Sequence, residues 1–176
     1  MKFCSICGDA VSKRIPAGDN RERHVCNGCE HIHYQNPKMV VGCLPVWEDK
    51  VLLCRRAIEP RHGFWTLPAG FMELNESTLE GALRETREEA CADIDHPELY
   101  CLYDLPHISQ IYLFYRGEVR EGRFSAGVES LDARLFTEAE IPWDELAFPI
   151  VRTTLQRFFM DRQQGVYPFQ AMGGRR

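Results

Sequence analysis

Glu85, Glu88 and Glu89 stand at i, i+3 and i+4, a spacing that puts three carboxylates on one face of a helix. Like charges that close repel one another, and a cation between them relieves the repulsion. Hard carboxylate oxygens suit Mg2+ or Mn2+, and Mg2+ commonly shares its shell with substrate phosphates. The chemistry on offer is metal-assisted work on a polyphosphate. The same residues admit a plainer reading, a solvated helix face laced with i,i+4 pairs such as Glu80–Arg84 and Arg84–Glu88.

The eight cysteines fall into two kinds. Cys4-x2-Cys7 and Cys26-x2-Cys29 are two knuckles with 18 residues between them, within the spacing of a four-thiolate zinc site. Four cysteines fill a tetrahedral shell, so such a site is closed and structural. Redox thiols or two disulfides are the alternatives. Zinc explains best why a short segment without an apolar core folds at all. Cys43, Cys54, Cys91 and Cys101 lie in apolar stretches and read as small core residues. His24, His31 and His33 read as polar surface beside the knuckles.

The full pattern Gly70-x5-Glu76-x7-Arg84-Glu85-Thr86-x-Glu88-Glu89 resembles the Nudix box, G-x5-E-x7-R-E-U-x-E-E-x-G-U. Every charged position matches. Thr86 stands where the box has a bulky aliphatic residue, and Cys91 where it has glycine. The likeness extends over about residues 38–160. With the knuckles in front, the chain is similar to zinc-ribbon Nudix hydrolases, a group that includes NADH pyrophosphatases and plant-type FAD/ADP-ribose pyrophosphatases. The run from the second knuckle through HYQNPKMVVGC looks closer to the plant type.

The resemblance implies an α/β fold, a Nudix α/β/α sandwich with a mixed sheet preceded by a small zinc ribbon. It implies that Glu85, Glu88 and Glu89 ligate Mg2+ or Mn2+ together with the Gly70 carbonyl. Glu76 would reach the metal through a water or order the loop. Arg84 would hold the carboxylates by ion pairing. Glu129 would complete the metal shell or act as base, with Glu118 and Glu121 as lesser candidates. Arg55, Arg56 and Arg61 precede the box and could contact substrate phosphates, Gly70 is a further candidate for substrate binding, and Cys4, Cys7, Cys26 and Cys29 would bind Zn2+. The implied reaction is hydrolysis of the pyrophosphate bond of a nucleoside diphosphate derivative. ADP-ribose or FAD is the expected substrate, giving AMP plus ribose 5-phosphate or FMN.

Other substrates stay open. NADH-specific relatives carry an S-Q-P-W-type array after the box, and the stretch here, YDLPHISQIYLFY, has none. Pro106 lies roughly where ADP-ribose hydrolases place a proline. Nucleoside triphosphates or capped RNA are further alternatives. A non-catalytic ligand sensor, or a ribbon that grips RNA or protein, is a reading of another class. The complete set of box glutamates argues against a silent sensor. Trp47, Phe64, Trp65, Tyr103, Tyr112 and Tyr115 serve equally as core or as stacking platforms.

Elements must position these groups. Residues 1–36 are turn-rich and lack helical periodicity, and Asn36-Pro37 marks a junction. Two β-rich runs, MVVGCLPVW and VLLCRR, flank a turn at Glu48-Asp49-Lys50. Ser77-x-x-Glu80 fits a capping box for a helix running to about Cys91, its buried face drawn from Leu79, Ala82, Leu83, Thr86 and Ala90. Residues 98–104, 109–119 and 131–136 read as strands. A second helix starts near Pro149 and ends before Gly165, with the apolar stripe Ile150, Val151, Thr154, Leu155, Phe158 and Phe159 as core or subunit contact. The expected division is 1–36, 37–165 and a flexible tail, 166–176.

The 176 residues, 44% hydrophobic and 27% charged, describe a globular chain. A net charge of -5 argues against strong nucleic-acid affinity. No apolar run reaches membrane-spanning length and the first residues lack a secretory pattern, so a soluble, cytoplasmic enzyme is expected. Homodimerisation is a further expectation from the resemblance.

Overall fold

The computed structural model describes residues 1–173 and divides the chain into two units, one ending at Asn36 and the next starting at Pro37. The first unit is a three-stranded antiparallel sheet of β1 (Val11–Arg14), β2 (Arg23–Cys26) and β3 (Ile32–His33). Its buried residues are few, Cys4, Val25, Cys26 and His33, so its apolar core is too small to fold it unaided.

The second unit is built on an eight-stranded mixed sheet. Its strands are β4 (Lys38–Trp47), β5 (Lys50–Arg56), β6 (Trp65–Thr66), β7 (Ala69–Phe71), β8 (Ile94–Leu105), β9 (Gln110–Val119), β10 (Ser130–Phe136) and β11 (Gln170–Gly173). The main order is β10-β5-β4-β9-β8-β11, with β6 beside β5 and β7 beside β4. β4 runs parallel to β9 and β11 parallel to β8; the other pairs are antiparallel. One edge of β4 is shared, by β7 at Val40–Gly42 and by β5 at Val46–Trp47.

A helix covers each face. α1 (Thr78–Ala90) packs with Val41, Cys43, Leu52, Cys54 and Leu113. α2 (Pro149–Gln164) buries its whole apolar stripe against Leu44, Val46, Val51, Leu53 and Phe114. Successive strand residues point to opposite faces, which is why Val41 and Cys43 serve one helix while Leu44 and Val46 serve the other. Burial on both faces also explains the near-continuous apolar text of β4 and β5. Among the described residues no helix is long and apolar enough to cross a membrane.

The expected flexible tail is corrected in part. The Tyr167 ring stacks on Phe158 at 5.7 Å and lies under the Arg116 guanidinium at 4.0 Å. So anchored, the chain returns to the sheet and β11 pairs with Cys101–Asp104 of β8. Residues 174–176 of the expected tail lie outside the described residues. Cys91 also departs from the reading as a core residue. It is exposed and caps α1 in the left-handed region, with φ 46°.

Candidate active site and the four-cysteine cluster

The capping box starts α1 as its residues require. The Glu80 amide donates to Ser77 Oγ at 3.2 Å, and the Ser77 amide to Glu80 Oε2 at 2.7 Å. Glu80 is thereby used at the cap and forms no ion pair with Arg84. From Glu85, at 3.6 residues per turn, Glu89 lies about 40° round the helix one way and Glu88 about 60° the other. Glu85 and Glu89 consequently turn toward the sheet, 9% and 6% exposed. Glu88 points outward, its side chain 56% exposed. The expected single face of three acids is thus two buried carboxylates with a third on their rim.

Arg84 gathers the acids. Its Nε and Nη2 grip both oxygens of Glu76 at 3.0 and 2.9 Å, and Nη1 reaches Glu85 at 2.8 Å and Glu88 at 3.0 Å. Nη2 also donates to the Phe71 carbonyl at 3.2 Å, tying β7 to the helix. Glu76 accepts the Glu73 amide at 2.7 Å as well, so it orders the loop before the helix. The Arg84 hydrogen bonds, helped by the Glu73 amide, hold the Glu76 carboxyl down to about 2.

The two inward acids are both shifted the other way. Burial raises Glu85, partly offset by Arg84 and reinforced by the charges of Glu88 and Glu129. Burial pushes Glu89 up to about 8, against the Ala69 amide at 3.2 Å and with the charges of Glu85 and Glu129 adding to the rise. Gly70 lies flat against this pair, since a Cβ there would sit 2.4 Å from the Glu85 carboxylate. Ionised carboxylates in such a place are tolerated once a cation compensates them. Hard oxygen donors beside an exposed backbone segment fit Mg2+ or Mn2+.

The chain after β9 closes the site from the helix C-terminus. The Ser125 amide donates to the Ala90 carbonyl at 2.9 Å and the Gly127 amide to the Glu89 carbonyl at 3.0 Å. A Cβ on Gly127 would stand 1.7 Å from the Glu88 carbonyl oxygen, so only glycine allows this approach. Glu129 follows two residues later, exposed, with its charge acting on both Glu85 and Glu89. Glu118 sits instead in the β8–β9 ladder opposite Asp95, and Glu121 pairs with Arg123 at 2.6 Å.

Arg56 is half-buried, with its charge acting on Glu89 and Tyr112. Its Nε donates to the Pro60 carbonyl at 2.8 Å and its guanidinium stands 5.3 Å over the Phe148 ring. Arg55 is exposed and braces the same loop through the Gly63 carbonyl at 2.8 Å. Neighbours on a strand face opposite ways, so the expected pair separates, with Arg56 toward the acids. Of the aromatic candidates, Trp65 and Tyr103 are core, and the Tyr115 hydroxyl is tied to Thr78 at 2.7 Å. Tyr112 remains half-buried near Arg56. Neither Gly127 nor the Ala69 amide stands out in the sequence pattern. The glycine two residues before Glu129 was the available signal for the first; a backbone amide leaves none.

In the first unit, Cys4, Cys7, Cys26 and Cys29 bring their sulfurs within 4.8 Å of one another. Cys4 and Cys29 stand 3.8 Å apart and Cys7 and Cys26 3.4 Å. Thiolates at the Zn–S distance of a tetrahedron stand ~3.8 Å apart, so the cluster fits a structural zinc. Gly8 turns the first knuckle at φ 82°. The Cys29 and Gly28 amides donate to Cys26 Sγ at 3.3 and 3.4 Å and draw its thiol down to about 6, against the effect of burial. Among the described residues no other group of three or more His, Cys, Asp or Glu side chains brings its ligand atoms this close together. His33, read as surface, is buried at 8% exposure, with Nε2 3.3 Å from Cys4 Sγ.

Comparison with known proteins settles the family. The family described as NUDIX domain matches residues 36–158, and the one described as Nudix N-terminal matches residues 2–35. The chain is a Nudix hydrolase. It is similar across its whole length to the crystal structure of a NUDIX hydrolase from Nitrosomonas europaea, at 52% identity and a TM-score of 0.95, each chain fully covered. It is 26% identical to the NAD-capped RNA hydrolase NudC of Photobacterium profundum over 81% of this chain and 52% of that protein. It is 29% identical to the ADP-ribose pyrophosphatase of Methanocaldococcus jannaschii over 65% of this chain and 69% of that protein. The hydrolase spans about half the length of the NudC relatives it matches. Nudix hydrolases as a family are pyrophosphohydrolases and generally use divalent metals.

Proposed function

We propose that this Nudix hydrolase cleaves the pyrophosphate bond of ADP-ribose or FAD, releasing AMP together with ribose 5-phosphate or FMN. The observation that carries the reading is the buried Glu85–Glu89 pair, raised by burial and faced by Glu129. Such a pair is stable as two carboxylates only beside a cation. Mg2+ or Mn2+, held by Glu85, Glu88, Glu89 and the Gly70 carbonyl, supplies activation of water and neutralisation of the charge that develops on the leaving phosphate.

The chain's own residues do the rest. Arg84 and Glu76 fix the approach of β7 to α1, which sets the Gly70 backbone against Glu85. Glu129, exposed on its loop, accepts the proton of the attacking water, with Glu85 as the other base within the cluster. Arg56 offers its outer nitrogens to a phosphate, and Tyr112 and Phe148 offer aromatic faces near it. In the first unit the metal is Zn2+, and its role is to hold the fold.

A second reading, hydrolysis of NADH or of NAD-capped RNA, draws on the NudC relatives. One panel separates the two. FAD, ADP-ribose, NADH, NAD-capped RNA and nucleoside triphosphates are incubated with Mg2+ or Mn2+, and products are resolved by chromatography. AMP with FMN or ribose 5-phosphate supports the first reading. Turnover confined to NADH or capped RNA replaces it with the second, and pyrophosphate from triphosphates overturns both.

A further inference from the structure

His33 is buried and has no part in the reaction above. It lies on β3 opposite His24 of β2, and His31 meets its ring edge-on at 4.7 Å and 72°. The contact that needs explaining is Nε2 at 3.3 Å from Cys4 Sγ. The two knuckles explain it by comparison. Cys26 Sγ accepts two amides, Gly28 at 3.4 Å and Cys29 at 3.3 Å. Cys4 Sγ accepts Ile6, the counterpart of Gly28, at 3.4 Å. Among the described residues the Cys7 amide, the counterpart of Cys29, makes no such bond to it. His33 Nε2 stands where that second donor is missing.

We propose that His33, as its Nε2–H tautomer, is a positioning residue for the metal held by the four cysteines, replacing the backbone donor that the first knuckle lacks. A metal-bound thiolate presents only lone pairs, so the nitrogen facing it must carry the proton. The bond draws charge from the sulfur and holds it at its corner of the tetrahedron. Without it, Cys4 is the corner at which the site opens. The inference rests on the reading of the cluster as a zinc site.

The test uses the full chain. Elemental analysis first counts zinc in the parent protein. Transfer of that zinc to a chromogenic chelator is then timed for the parent and for His33→Ala, His33→Phe and His33→Gln. Loss of the donor in the Ala and Phe variants speeds release ~10-fold or more, while Gln, whose amide nitrogen can reach the sulfur, stays close to the parent rate. Equal rates in all four proteins overturn the proposal. Slow release by Phe with fast release by Gln also overturns it, because packing alone would then be the cause. A measurement on the unsubstituted protein needs no variant. With cadmium-113 in the cluster, nitrogen NMR of the His33 ring shows a proton on Nε2 coupled to the metal; a proton on Nδ1 alone overturns the proposal. A parent protein that binds no zinc or cadmium overturns the zinc reading along with it. Bound metal with unchanged release overturns this inference alone.

Discussion

The amide of Gly127 donates to the carbonyl of Glu89 at 3.0 Å, so the segment that carries Glu129 is fastened to the last turn of the helix that carries the buried acids. A carbonyl that the helix itself leaves unpaired becomes the ruler for the distance between the buried Glu89 carboxyl and the exposed Glu129 carboxyl.

Gly127→Ala puts a methyl group where there is no room for one. The loop must lift, and Glu129 moves with it. A displacement of about 1 Å costs about 10²-fold in rate. The expected result is a fall in kcat of that order with KM little changed, and Glu129→Gln should give a comparable loss. Steady-state kinetics on whichever substrate the panel identifies decides it. An unchanged kcat in Gly127→Ala means that Glu129 is not held through this contact.

The Glu89 carboxyl is raised from its ordinary 4.5 to about 8 in the metal-free protein. A group raised on folding favours the folded state when protonated. Its contribution is complete below about pH 4.5 and is lost as the pH rises through about 8. The metal-free protein should therefore lose stability between these values, and the stabilisation by Mn2+ over chelator should grow across the same range. Glu89→Gln keeps an acceptor for the Ala69 amide and removes the charge. It should raise metal-free stability at pH 8 by ~1–3 kcal/mol and lower kcat by ~10²–10³-fold. Thermal melts against pH, with Mn2+ or with chelator, check both signs.

Cys91 holds a left-handed conformation, φ 46°, which costs a non-glycine residue roughly 1–2 kcal/mol. Cys91→Gly removes that cost and loses part of the gain to the freer unfolded chain. A net stabilisation of ~0.5–1 kcal/mol is expected, with activity unchanged. Chemical denaturation of the two proteins side by side measures it, and a destabilised variant would show that the thiol is worth more than the strain.

Removal of metal from the four-cysteine cluster should unfold the first unit, because Cys4, Val25, Cys26 and His33 are all that it buries. Limited proteolysis after chelation should cut between residues 1 and 36 and spare the chain from Pro37 onward. Resistance of the first unit to both chelator and protease would mean that its sheet stands without metal.

Much of this protein was legible along the chain. The near-continuous apolar runs of β4 and β5, the Ser77–Glu80 cap, the Pro149 start and Gly165 stop of α2, and the paired knuckles depend on neighbours within a few residues. Local chemistry dictates them, so the text of the sequence carries them. The regular spacing of Glu85, Glu88 and Glu89 likewise placed all three on one side of a helix. Which of them points inward was decided by the sheet, since burial depends on what packs opposite and not on the helix itself. The same holds for Arg56 over Arg55, for His33 under Cys4, for the return of the chain into β11 through Tyr167, and for Gly127 against Glu89. Each joins residues far apart in order, and only folding brings their atoms within reach.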